Sequence, residues 1–84
     1  MKSKHKFAVG DRVRYMANVS GNGWLNGMEG RIIYVDGTRC PYTVQFDVPI
    51  AEGNTDYRAR KNGIEPNPWC GWFCREENLT LIEM

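Results

Sequence analysis

The run Tyr42-Thr43-Val44-Gln45-Phe46-Asp47 alternates apolar and polar side chains without a break. Successive side chains of a strand point to opposite faces, so this is the pattern of a half-buried β-strand, with Tyr42, Val44 and Phe46 turned to a core. Upstream, Asp36-Gly37 suits a tight hairpin because both residues tolerate positive φ, and residues 28–35 before it read as the partner strand. Further out, residues 12–16 form a first strand, with Val13 and Tyr15 on one face and Arg12 and Arg14 on the other. Downstream, residues 69–75 read as a fourth strand, with Cys70, Trp72 and Cys74 inward and Phe73 and Arg75 outward. Glu76-Glu77-Asn78 makes a short turn, and residues 79–82 close the fold. Glycine and proline punctuate these runs, and no segment carries a helical pattern. The expectation is an all-β domain, a small five-stranded barrel with two long loops. The loops are residues 17–27, rich in Gly and Asn and carrying Trp24, and residues 48–68, read as an excursion with little regular structure.

A chain of 84 residues has room for one domain, near the lower limit for folding without staples. Its 42% hydrophobic and 12% aromatic residues exclude a disordered segment. No run approaches the ~18 apolar residues of a membrane span. The start Met-Lys-Ser-Lys-His-Lys is not followed by an apolar stretch, which reads as a basic flexible tail over residues 1–7 and predicts a cytoplasmic protein. Three cysteines, an odd number, fit reduced thiols better than a secreted disulfide framework. The net charge of +1 excludes both a strongly basic nucleic-acid protein and an acidic mimic. The charge is unevenly spread, however: Lys2, Lys4, Lys6, Arg12 and Arg14 crowd the first part of the chain, and Arg58, Arg60 and Lys61 form a second group.

Cys70 and Cys74, with Cys40 and His5, have the donor types of a zinc site. On a strand, however, thiols four residues apart lie ~13 Å from each other, at ~3.3 Å per residue, too far to share one ion or a disulfide. No metal and no cofactor is expected. One histidine beside Lys4 and Lys6, no phosphate-cradling loop and no supported carboxylate pair leave no catalytic constellation, so the chain reads as a non-enzyme. Gly10 and Gly30 stand at strand entries where the chain must bend, and Gly71 within a strand suggests a bulge or a close backbone approach.

The series Val9-Gly10-Asp11-Arg12-Val13-Arg14, Gly27-Met28-Glu29-Gly30-Arg31-Ile32, Tyr42-Thr43-Val44-Gln45-Phe46-Asp47, Gly71-Trp72-Phe73-Cys74 and Glu77-Asn78-Leu79-Thr80-Leu81-Ile82 resembles the strand layout of SH3-like barrels over nearly the whole chain. Its front half is similar to the KOW motif of ribosomal and transcription-elongation proteins. Its full length resembles the small SH3-like proteins of bacteriophage and prophage genomes. The opening is also similar to that of CAP-Gly domains. At the position of their Gly-Lys-Asn-Asp-Gly peptide-binding loop, however, this chain has Glu52-Gly53-Asn54-Thr55-Asp56, which lacks the lysine, so that role does not carry over.

Binding is therefore the expected activity. Trp24 in the first loop, Tyr57 and Trp69 in and beside the second, Phe73 on the outer face of the fourth strand, and Arg58, Arg60 and Lys61 are of the residue types that dominate protein interfaces. The leading expectation is a protein-binding module using Trp24, Tyr57, Arg58, Arg60 and Phe73. The resemblance implies a phage or prophage accessory protein that docks on, and inhibits or redirects, a bacterial host protein. The alternative is a KOW-like nucleic-acid binder, with Lys4, Lys6, Arg12, Arg14 and Arg31 on phosphates and Trp24 or Phe73 stacking on bases.

Overall fold

The computed structural model describes residues 6–17, 25–50, 55–67 and 69–82, and Lys4, His5 and Trp24 lie outside them. Five strands form one antiparallel sheet: β1 (Arg12–Tyr15), β2 (Glu29–Val35), β3 (Tyr42–Phe46), β4 (Gly71–Cys74) and β5 (Leu79–Leu81). The order across the sheet is β4-β3-β2-β1-β5, so the chain meanders through four strands and returns to pair β5 with β1. The small all-β domain expected from the alternating runs is what the chain forms, with each strand within a few residues of its expected place. No described helix is long and apolar enough to cross a membrane.

One face of the sheet carries the main core: Val13 and Tyr15 of β1, Ile32 of β2, Tyr42, Val44 and Phe46 of β3, Cys74 of β4 and Leu79 of β5. The rings meet edge to face, Tyr15 with Phe46 at 6.4 Å and Phe7 with Tyr42 at 5.3 Å between centroids, a preferred geometry for aromatic quadrupoles. Phe7 is buried, and its backbone N–H donates to the Tyr42 hydroxyl, which donates in turn to Glu76. Residues 6 and 7 thus belong to the fold, where the sequence suggested that a flexible tail ran through residue 7. The first loop re-enters with Leu25 fully buried, its base clamped by two hydrogen bonds between the Asn26 side-chain amide and the Ala17 backbone.

Three expectations are corrected. Asp36-Gly37 is no two-residue hairpin: residues 36–41 connect β2 to β3, neither Asp36 nor Gly37 has positive φ, and the Asp36 carboxylate holds the turn by accepting from the Thr38 N–H and hydroxyl. Gly30 is required for space and not for a bend, since a Cβ there would lie 2.5 Å from the Gln45 carbonyl oxygen of the neighbouring strand. The second long loop holds a helix, α1 (Asp56–Lys61). Ala59 is its buried anchor. A Schellman closure ends it, with Gly63 N–H on the Arg60 carbonyl, Ile64 N–H on the Ala59 carbonyl, and Gly63 at φ 72°.

The helix lies against the opposite, outer face of the sheet. The Asn62 amide donates to the Ile33 carbonyl of β2 at 2.8 Å, and Thr55, just before the helix, packs directly on Gly71 of β4. Ile33, Thr43, Thr55 and Ala59 are all buried there, which explains why Thr43, polar and outward by alternation, has no exposure.

Candidate functional site

A bulge in β2 builds the site. Ile32 pairs with Val44, but Tyr34, not Ile33, pairs with Thr43. The extra residue reverses the alternation, so Tyr34, which would otherwise share the core face of Ile32, joins Thr43 and its β4 partner Phe73 on the outer face. Helix α1 then sets Arg58 over this trio of strands. The guanidinium carbon lies 4.5 Å from the Tyr34 ring centroid, 5.0 Å from that of Phe73 and 5.5 Å from that of Tyr57. Three aromatic rings thus surround one cation, each within cation–π range.

Hydrogen bonds fix the same guanidinium. Nη1 donates to Asp36 Oδ2 at 3.1 Å and to Thr43 Oγ1 at 3.0 Å, and Nε donates to the Tyr57 hydroxyl at 3.0 Å. The Arg58 and Asp36 side chains are only 21% and 20% exposed, which shields this pair from solvent far better than a surface bridge. Burial alone would raise the Asp36 pKa; the bonds from Thr38 and Arg58 outweigh it and hold the carboxyl below its usual range. Around this fixed centre, Tyr57 and Phe73 remain 57% and 41% exposed, and Arg60 and Lys61 are exposed on the outer side of α1.

The structure therefore brings together Tyr57, Arg58 and Phe73 of the residues singled out from sequence, with Arg60 on the same helix. Phe73 stands outside, as the alternation of β4 required. Arg58 has a different place from the one expected: it is a half-buried brace, not a free surface arginine. Tyr34, Asp36 and Thr43 were not singled out, because only the bulge and the helix, neither visible as a pattern, make them neighbours. Trp24 lies outside the described residues.

Arg12, Arg14 and Arg31 do share the outer face, since Arg12 and Arg31 are register partners and Arg14 lies opposite Glu29. As a basic strip, however, they are largely cancelled. Arg12 grips Asp47 through two bonds of 2.7 Å, and Arg14 bonds Glu29 at 2.7 Å. The bidentate bond holds the Asp47 carboxyl below its usual pKa and raises that of Arg12. Arg31 makes no ion pair among the described residues and lines a cleft of about 220 Å³ with Arg12, Gln45, Asp47, Glu65 and Asn67. The Gln45 amide closes this cleft by donating to the Glu65 carbonyl and accepting from the Asn67 N–H. Lys6 is exposed, its ammonium 5.5 Å from the Phe7 centroid, and Lys4 is outside the described residues.

Trp69 is 59% exposed and holds φ at 65°, a left-handed conformation uncommon for a bulky side chain. Its carbonyl accepts from the Ile50 N–H. Cys70 and Cys74 are fully buried or nearly so, and burial pushes both thiols up, away from the thiolate that ligation and nucleophilic attack require. No group of three or more potential metal-ligating side chains occurs among the described residues.

Comparison with models of protein families, with curated proteins and with solved structures finds no match to this chain.

Proposed function

We propose that the chain is a non-enzymatic protein-binding module that docks through Tyr57, Phe73 and Arg60, with Arg58 as the brace that holds the two rings in place. The observation that carries the reading is the pair of exposed rings fixed on a shared cation. Rings that are already ordered lose little further entropy when a partner covers them, and Tyr and Arg are enriched among residues that dominate binding energy. The resemblance to small phage and prophage SH3-like proteins makes a bacterial host protein the expected partner, and the return of β5 to β1 is in keeping with that layout. The pairing of Arg12 with Asp47 and of Arg14 with Glu29 favours this reading over nucleic acid, since a guanidinium already committed to a carboxylate has less to offer a phosphate.

The test is capture from bacterial lysate on tagged protein, with and without nuclease and at low and high salt. A discrete protein band should survive both treatments and disappear with Tyr57→Ala or Phe73→Ala while each variant stays folded. Recovery that vanishes with nuclease, or falls steeply with salt, would move the assignment to nucleic acid.

A further inference from the structure

The cluster around Arg58 has the composition of a cation-binding cage. Three rings, Tyr34, Phe73 and Tyr57, stand 4.5 to 5.5 Å from one positive centre, and a carboxylate, Asp36, closes one side at 3.1 Å. Aromatic walls with one acidic group are what a quaternary ammonium or a methylated ammonium requires. Such ions are poorly served by hydrogen bonds and well served by ring quadrupoles. In this fold the occupant comes from the chain itself.

We propose that Tyr34, Tyr57, Phe73 and Asp36 form a cation-recognition site for a methylated or quaternary ammonium group, and that Arg58 is its built-in plug. The site opens to solvent, because Tyr57 is 57% and Phe73 41% exposed. Arg58 enters from α1, and its side chain keeps 21% of its surface exposed, so it leaves the cage by giving up its hydrogen bonds to Asp36, Thr43 and Tyr57. Rotation of one side chain empties the cage without moving the sheet that carries Tyr34 and Phe73. When Arg58 leaves, Asp36 still accepts from Thr38, so the carboxylate stays aimed. Plugging lowers apparent affinity by the fraction of time the cage is filled, so a ligand must outcompete the arginine to enter. The inference does not rest on the protein-docking reading: the cage can bind its ligand in the absence of any protein partner.

The experiment titrates wild type, Arg58→Ala and Arg58→Gln with N-acetyl-trimethyl-lysine amide, followed by NMR shifts of the backbone amides. Arg58→Gln keeps the first two methylenes of the side chain and removes the charge, which guards against loss of the fold in the alanine variant. Saturable binding is expected in a folded Arg58 variant, at least tenfold tighter than in wild type, with shifts centred on residues 34, 36, 57 and 73. Adding Phe73→Ala or Asp36→Asn to that variant should weaken binding at least fivefold. Equal affinity of wild type and both Arg58 variants, or shifts centred elsewhere, would overturn the proposal.

Discussion

Arg58 and Arg60 are two residues apart on the same short helix and carry the same charge, yet they differ in what their removal should do. Arg60 is exposed on the outer side of α1, and Arg60→Ala should change stability by no more than about 0.5 kcal/mol, the usual range for a surface site. Arg58 donates to Asp36, Thr43 and Tyr57 and is flanked by three rings. Arg58→Ala leaves the Asp36 carboxylate, 20% exposed, without its counter-ion, and should cost about 2–3 kcal/mol, the range for losing charged hydrogen bonds and their ring contacts. Chemical denaturation of the two variants checks this. Equal stability would mean that Arg58 is a surface residue after all, and that neither the brace nor the plug describes it.

At the scale of elements, the docking of α1 on the sheet depends on the absence of a side chain at Gly71. A Cβ there would collide with the side chain of Thr55, which is 1% exposed and has nowhere to retreat. Gly71→Ala should therefore destabilise the domain by about 1–3 kcal/mol, the cost of overpacking, and Thr55→Ala in the same chain should recover part of the loss. Strict additivity of the two changes would show that α1 does not seat on β4. The strands were legible because each carries a period of two: Tyr42, Val44 and Phe46 alternate with Thr43 and Gln45, and Val13 and Tyr15 with Arg12 and Arg14. That period also placed Phe73 outside. The helix was not legible from periodicity, since six residues span fewer than two turns. Its end markers were there to be read, with Asp56 in the first turn, Arg60 and Lys61 in the last and Gly63 just beyond. The β2 bulge left no mark in Ile32-Ile33-Tyr34, whose three apolar side chains fit any register. With it went any means of foreseeing Tyr34 beside Phe73.

Over the whole molecule, a net charge of +1 conceals a fold in which three arginines are each set against a carboxylate: Arg12 on Asp47, Arg14 on Glu29 and Arg58 on Asp36. This pairing makes stability depend on acid in a definite direction. The Asp47 carboxyl is held low chiefly by the Arg12 bond, and that of Asp36 by Thr38 and Arg58 against the upward push of burial. Both therefore protonate at lower pH in the folded chain than in the unfolded one, where an aspartate titrates near ~3.9. As pH falls through that value the unfolded state takes up protons first, so the stabilisation is fully present above about pH 5 and is lost progressively toward the folded-state values. The melting temperature should thus stay nearly level from neutral pH to about pH 5 and then decline. In Asp36→Asn/Asp47→Asn the neutral-pH melting temperature should be lower and the decline shallower, because the two groups no longer bind protons differently in the two states. A decline of unchanged depth in the double variant would place the acid sensitivity in other carboxylates and detach it from the arginine pairs of the outer face.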